Sequence, residues 1–249
     1  MRCLCRLMLA LSIFALVVPG KSLGAELKVI ASGAVKEAIV DLVADFEKSS
    51  GHKVTLIWAG TEATTKRVAE GEAVDVALIA AGNIDKLIAA GKLTVRSDIA
   101  KSGVGVAVRE GMPKPDISSG DAVKKAVLEA KSVAYSSGPS GSYLVELFKR
   151  MGIADQIKDK VKQTPSGVQV GDVVARGEAD LGFQQISELI HLKGIHYLGP
   201  LPPDIQQTTV FSAGVHSSSA SPEAAKALIN FLVRPESAVS IRKAGMEPG

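Results

Sequence analysis

The chain has 249 residues, a formal net charge of +3 and two cysteines, Cys3 and Cys5. Three basic residues within the first 25 account for all of the excess charge, so residues 26–249 are neutral and give no support for nucleic-acid binding. Both cysteines also precede residue 26, which excludes disulfides, cysteine–metal sites and cysteine nucleophiles from the rest of the chain.

The first 25 residues have the features of a secretory signal peptide. Arg2 and Arg6 precede an apolar run, Leu7–Val18, and small residues follow just before Ala25. The apolar run is too short for a comfortable membrane span. We expect cleavage after Ala25 and a periplasmic location for the mature protein.

Residues 29–46 (VIASGAVKEAIVDLVADF) predict a strand that passes directly into a helix. The apolar run stops at Ser32-Gly33, and apolar residues then recur at the i, i+3, i+4 spacing of one helix face up to Phe46. The small residues between the two leave backbone N–H groups of the first helical turn open, at the positive end of the helix dipole. An anion is the ligand that such a turn favours.

Strands alternate with helices through the rest of the chain, as is typical of α/β proteins with parallel crossovers. Strands are predicted at 53–58, 73–79, 104–108, 132–135, 179–184, 195–198 and 208–215. Helices are predicted at 62–70, 84–89, 143–151 and 167–177, with a closing helix that starts at Ser221-Pro222.

Two of the predicted strands, 104–108 and 208–215, flank the middle of the chain, so we expect the chain to cross twice between two lobes. Lobe I would contain residues 26–106 and 210–249, and lobe II residues 107–209. The ligand cleft would lie between the lobes.

Four turns of small residues each precede a predicted helix, two in each expected lobe. Ligands of open α/β sheets lie beyond the carboxyl ends of the strands, where such turns gather. Hydroxyl and amide donors would then hold a dianion without a fixed countercharge. The turns are Ser32-Gly33-Ala34, Gly60-Thr61, Ser140-Gly141-Ser142 and Gly167-Val168.

Catalytic patterns are weak in this sequence. The four histidines are scattered, and no group of acids has metal-ligand spacing. The turn at Gly138-Pro139-Ser140-Gly141 lacks the glycine that a nucleophile elbow requires after residue 141 and the Gly-Lys-Ser/Thr of a phosphate loop. We therefore expect no catalytic residue, metal or cofactor, and a protein that is not an enzyme.

The chain resembles the periplasmic solute-binding proteins of ABC transporters, specifically the molybdate-binding type. The stretches VIASGAVKEAI, GTEATTKRVAEGEAVDVALIA, PSGSYLVELFKRMGI and GEADLGF carry this resemblance. It implies the α/β, two-lobed periplasmic-binding-protein fold (type II), in which each lobe is a mixed, mostly parallel sheet flanked by helices. It also implies a monomer that closes by a hinge over a molybdate- or tungstate-like oxyanion and delivers it to a membrane permease.

The resemblance also implies the ligand-binding positions, with two departures from the family. The family's first serine falls on Ala34 and its tyrosine hydroxyl falls on Gln185, so a molybdate would lack donors or the pocket would suit another anion. The expected ligand-binding residues are Ser32, Gly33, Ala34, Thr61, Ser140, Gly141, Ser142, Tyr143, Val168 and Gln185.

Three alternatives to an oxyanion-binding transport protein stay open. The same fold could hold a small di- or tricarboxylate, of which aconitate is one example. A secreted α/β enzyme, such as a decarboxylase or lyase, could act on a carboxylate. A sensory ligand-binding subunit could signal to a membrane kinase.

Overall fold

The computed structural model describes residues 24–249, so the predicted signal peptide lies almost entirely outside the described residues. The strands are β1 Glu26–Ala31, β2 Lys53–Trp58, β3 Val76–Ala80, β4 Ser97–Arg109, β5 Val133–Ser136, β6 Val161–Thr164, β7 Leu181–Gln185, β8 Ile195–Pro200, β9 Thr208–Val215 and β10 Glu247–Pro248. Within residues 24–249, no helix is both long and apolar enough to cross a bilayer.

The helices cover both faces of the strands. They are α1 Lys36–Ser50, α2 Thr61–Ala69, α3 Ala81–Ala89, α4 Gly120–Glu129, α5 Pro139–Arg150, α6 Ala154–Ile157, α7 Val170–Ala175, α8 Ile186–Leu189, α9 Pro222–Val233 and α10 Ala238–Lys243. Short 3-10 turns lie at Gly33–Val35 and Pro235–Ser237.

The strands follow the order β2-β1-β3-β9-β4-β7-β5-β6. Strands β1, β2 and β3 are parallel, and β9 runs antiparallel to β3. On the other side, β5 is parallel to both β6 and β7, while β7 and β8 run antiparallel to β4. The mixed sheets flanked by helices confirm the predicted α/β fold class, although parallel pairings do not outnumber antiparallel ones as the prediction expected.

Strand β4 changes its partners in the middle. Its first part, as far as Gly103, pairs with β9, and its second part, from Val104, pairs with β7 and β8. Strand β9 begins at Thr208, opposite Gly103. We call the part that contains β1–β3, β9 and α1–α3 lobe I and the part that contains β5–β8 and α4–α8 lobe II. The lobe boundaries predicted from the sequence, near residues 106 and 210, stay a prediction.

Each lobe has its own apolar core. In lobe I, Ile39, Leu42 and Phe46 of α1 pack with β1, β3 and α9, as the predicted helix face requires. In lobe II, Phe148 packs edge-on against Phe183, with the ring centroids 6.2 Å apart. Burial of each such side chain contributes roughly 1.5–3 kcal/mol, so each core holds its set of strand ends and turns in place.

Gln206 joins the two crossing segments between the lobes. Its amide oxygen accepts a hydrogen bond from the Val104 backbone N–H (2.8 Å), and its amide nitrogen donates to the carbonyls of Val104 (3.0 Å) and Leu201 (3.2 Å). The side chain therefore replaces a strand partner at the point where β4 enters lobe II.

Candidate functional site

A cavity of about 530 Å³ lies between the two lobes, at the carboxyl ends of their parallel strands. Lobe I contributes the turn after β1 and the turn between β2 and α2. Lobe II contributes the loops after β5 and β6, the end of β7 and α8. The lining residues include Ser32, Gly33, Ala34, Lys36, Trp58, Thr61, Glu62, Ser136, Ser140, Val168, Gln169, Gln184, Gln185 and Glu188.

All four predicted turns reach this one cavity. They follow β1, β2, β5 and β6, and parallel strands present their carboxyl ends at the same edge of a sheet. The expected ligand-binding residues that line the cavity are Ser32, Gly33, Ala34, Thr61, Ser140, Val168 and Gln185. Their role in ligand binding stays a prediction.

Gly141, Ser142 and Tyr143 lie next to the cavity but are not among its lining residues, and their role in ligand binding stays a prediction. The Ser142 hydroxyl donates back to the Gly138 carbonyl (3.3 Å), and the Tyr143 hydroxyl donates to the Ile205 carbonyl (2.5 Å). These side chains are used within lobe II, and Gly141 packs against the end of β5.

Gly141 instead allows α5 to start close to β5. A Cβ atom on Gly141 would lie 1.6 Å from the Ser136 carbonyl oxygen, so no other residue fits here without a backbone shift. This contact brings the hydroxyls of Ser136 and Ser140 to within 3.0 Å of each other at the cavity wall. The Ser136 hydroxyl also accepts from the Gly138 N–H (3.2 Å).

The first turn of lobe I is capped by its own serine. The Ser32 hydroxyl accepts a hydrogen bond from the Ala34 N–H (3.3 Å), and the Ser32 N–H donates to the Leu78 carbonyl (2.8 Å). Ala34 is buried and offers the cavity only a methyl group. The side chain at position 34 therefore supplies no hydrogen-bond donor.

Thr61 places a hydroxyl without a partner at the start of α2. The residue is 1% exposed, and its Oγ1 atom has no hydrogen-bond partner among residues 24–249. A buried polar group left unpaired costs about 1–3 kcal/mol. A ligand that offers an acceptor to Thr61 would recover this cost, and the neighbouring N–H groups of α2 would add to the attraction.

Gln185, at the end of β7, is engaged by the crossing strands. Oriented to satisfy its neighbours, its amide nitrogen donates to the carbonyls of Ser102 (3.0 Å) and Gly103 (3.2 Å), and its oxygen accepts from the Thr209 hydroxyl (2.9 Å). Because these contacts use the amide, Gln185 ties lobe II to β4 and β9 and leaves little to offer a ligand.

Glu188 is a cavity residue that sequence reasoning missed. It lies on the four-residue helix α8, directly after β7, and its carboxyl group contacts the side chains of Gln169 and Gln184. Loss of hydration raises the pKa of the Glu188 carboxyl to about 7, although the amides of Gln184 and Gln169 oppose this shift by stabilising the carboxylate.

A relay of amides fixes these partners. The Gln184 oxygen accepts from the Val170 backbone N–H (2.8 Å), and the Gln184 nitrogen donates to the Gln169 oxygen (2.9 Å). Both glutamines are therefore oriented by the start of α7. A polar pair at the end of β7 was the signal available in the sequence, because ligands gather at the carboxyl ends of such strands.

The other charged residues of the lining, Lys36 and Glu62, are exposed at the rim. Among the described residues, none forms a salt bridge with Glu188. The inner cavity therefore combines uncharged hydroxyl and amide donors with one carboxyl group that titrates near neutral pH.

Comparisons with known proteins agree with this architecture. Residues 27–247 match the family described as bacterial extracellular solute-binding protein. The molybdate-binding protein of Rhodobacter capsulatus is 27% identical over 84% of this chain and 83% of its own length. The periplasmic molybdate-binding protein structure from Azotobacter vinelandii superposes with a TM-score of 0.77 at 20% identity, covering 90% of this chain and 99% of that one.

A further relative contradicts one expectation. A Pseudomonas protein named aconitate isomerase is 40% identical over 89% of this chain and 87% of its own length. The expectation that the chain is not an enzyme is therefore wrong as a conclusion from the sequence, because a relative of this similarity carries the name of one. Since the family match covers nearly the whole described chain, the protein belongs to the bacterial extracellular solute-binding proteins.

Proposed function

We propose that the cleft between the lobes binds aconitate and interconverts its cis and trans isomers. The proposal is supported by the side chains at two positions. The family resemblance implies a hydroxyl donor at each of them, and this chain has a hydroxyl at neither. Ala34 presents a methyl group, and the Gln185 amide is used by β4 and β9. A tetrahedral oxyanion would therefore be short of two partners, and a buried anion without its donors is bound weakly.

The size and lining of the cavity suit a larger anion. A five-atom oxyanion occupies the space of a few water molecules, each about 30 Å³, whereas the cavity has about 530 Å³. Donors lie on both lobes, at Thr61 in lobe I and at Ser136 and Ser140 in lobe II. A tricarboxylate could engage both sets at once, and this would stabilise the closed arrangement of the lobes.

Isomerisation of aconitate needs only the movement of a proton. Removal of a proton from its methylene carbon leaves a carbanion delocalised over three carbons, and return of that proton to the far carbon shifts the double bond. The new double bond can have either geometry, and no atom or electron is gained or lost. Addition of a thiolate to the double bond is excluded as a route, because both cysteines lie in the predicted signal peptide.

The test is direct. The purified protein is incubated with cis-aconitate, and the appearance of trans-aconitate is followed by proton NMR. We expect enzyme-dependent conversion, and the same equilibrium mixture when the reaction starts from trans-aconitate. No conversion at high protein concentration, with both isomers unchanged, would overturn the proposal.

Capture of a metal oxyanion for an ABC permease is the second candidate, and the hydroxyl retained at Thr61 favours it. The two functions separate in a thermal-shift experiment, since a ligand that binds the folded state raises the melting temperature. Protection by tungstate and molybdate without protection by aconitate would favour this second candidate. Protection by aconitate alone would exclude it.

A further inference from the structure

We infer that Glu188 is the acid–base residue of the cleft, which takes the methylene proton from the bound tricarboxylate and returns it two carbons away. This inference rests on the proposed isomerase function and adds the group that carries it out. Glu188 is the carboxyl-bearing residue that lines the cavity from lobe II.

Glu188 lies beside the first turn of lobe I. A Cβ atom placed on Gly33 would lie 3.6 Å from Glu188 Oε1 and 3.7 Å from Gln169 Nε2, which are ordinary van der Waals separations, so both side chains border this turn. The carboxyl oxygen thus lies next to Gly33, at the N-terminal end of the helical segment that continues into α1, where the helix dipole attracts a substrate carboxylate. A substrate carboxylate held at this end would bring its neighbouring methylene group next to Glu188.

The surroundings of Glu188 suit a group that must both accept and donate a proton. No lysine or arginine pairs with it among the described residues, so its basicity is not reduced by a cation. Gln169 and Gln184 contact the carboxyl and hold it in place without charge. Burial raises its pKa to about 7, which favours proton exchange at neutral pH.

Other titratable groups are poorly placed for this role. Lys36 and Glu62 line the cavity but are exposed at its rim on lobe I. Strand β4 packs against α8, yet its charged residues Asp98, Lys101 and Arg109 are not part of the lining. Strand β7 and the 3-10 turn, which also pack against α8, carry no charged residue.

One carboxyl group suffices for the reaction. The methylene carbon and the far carbon of the delocalised carbanion are two bonds apart on the same face of the substrate. Glu188 removes the proton as a carboxylate, becomes a carboxylic acid, and gives the proton back at the second carbon. It ends in its starting state, so atoms, charge and electrons balance within one turnover.

The decisive variant is Glu188→Gln, with the same shape and no exchangeable carboxyl proton. We expect kcat for aconitate isomerisation to fall at least about 100-fold, as for the loss of a general acid–base group. Exchange of the substrate methylene protons for deuterium in D₂O should fall equally. Thermal protection by propane-1,2,3-tricarboxylate, which has no double bond to move, should persist and show that the variant folds and binds.

Three further variants complete the test. Glu188→Asp should retain part of the activity with a changed pH profile, whereas Glu146→Gln, on the exposed side of α5, should behave as the unaltered protein. Full isomerase activity in Glu188→Gln, or loss of activity in Glu62→Gln instead, would overturn the assignment. If the unaltered protein shows no conversion, the proposed function itself fails, and this result is distinct from activity that survives in Glu188→Gln.

Discussion

Gly60 of lobe I touches Ser166 of lobe II across the mouth of the cleft: a Cβ atom on Gly60 would lie 2.4 Å from the Ser166 hydroxyl oxygen. The two lobes therefore approach each other at a glycine, and the absence of a side chain there sets the distance between them. Ser166 Oγ is the end of a short side chain and can rotate away, whereas Ser166 Cβ, 3.5 Å away, cannot.

This contact predicts a difference between two substitutions at Gly60. Gly60→Val should weaken ligand binding about tenfold or more because branched methyl groups hold the lobes apart, while Gly60→Ala should bind within a few-fold of the unaltered protein. Gly60 has φ −68° and ψ 156°, which valine adopts without strain, so the ligand-free stability should not change. Calorimetric titration measures the affinities, and equal affinity in both variants would contradict closure at this contact.

Thr61 gives a prediction in which stability and affinity move in different directions. Thr61→Val keeps the shape and removes a buried hydroxyl that has no partner within residues 24–249, so the ligand-free melting temperature should stay the same or rise. Affinity for the anionic ligand should fall about 10- to 150-fold, the value of one charge-assisted hydrogen bond of roughly 1.5–3 kcal/mol.

Thr61→Ser is the matched control, because it keeps the hydroxyl and loses only a methyl group. We expect its affinity to stay close to that of the unaltered protein. A drop in melting temperature for Thr61→Val together with unchanged affinity would show that the hydroxyl serves the fold and not the ligand.

The hydrogen bonds of Gln206 predict that its replacement by alanine lowers the stability of the protein. Gln206→Ala would leave the buried N–H of Val104 without its side-chain acceptor, and the free energy of unfolding should fall by about 1–3 kcal/mol. Gln207→Ala, at the exposed neighbouring position, should change it by less than about 0.5 kcal/mol. Urea unfolding compares the two, and equal stability in both variants would show that Gln206 adds nothing at the crossing.

The sequence predicted the regular elements well where one physical pattern dominated. Strands β2 and β9 have the predicted limits, since alternating or continuous apolar runs end at clear turn residues. Strand β4 was predicted only over residues 104–108, because its first part carries Asp98, Lys101 and Gly103 and looks like a loop. Pairing with β9 and β10 makes it a strand, and a single sequence does not reveal that pairing.

The candidate site was likewise predicted only in part. Its small-residue turns were found because their composition follows from their geometry, and they meet because parallel strands end at one edge. Glu188 was not found because a single carboxylate after a strand looks like a surface residue. Its environment depends on the fold, which brings Gln169 from the loop after β6 next to Gln184 of β7. Asp75 lies in one of the stretches that carry the family resemblance, and it supports the fold. Its carboxylate accepts hydrogen bonds from the Lys28 N–H and the Ser219 hydroxyl.

The raised pKa of Glu188 predicts a pH-dependent stability that Glu188→Gln removes. In the unfolded chain a glutamate titrates near pH 4.5, and in the folded protein near pH 7, so the folded state favours the protonated carboxyl. The stability that the protonated carboxyl provides is complete below pH 4.5 and is lost as the pH rises through about 7. Relative to Glu188→Gln, the ligand-free protein should therefore lose at most about 3 kcal/mol of unfolding free energy between pH 5 and pH 8.

Urea unfolding of the unaltered protein and of Glu188→Gln across this pH range measures the difference in their unfolding free energy. The contributions of the other titrating groups cancel in this difference. Lys36 and Glu62 share the cavity but are exposed at its rim, so Glu62→Gln serves as the control for the loss of one carboxyl group from the lining. A difference between the unaltered protein and Glu188→Gln that does not change with pH would mean that Glu188 ionises at its ordinary pKa. Glu188 would then be almost fully ionised at neutral pH and would be a weaker base toward the methylene proton. A loss of isomerase activity in Glu188→Gln would then need another cause.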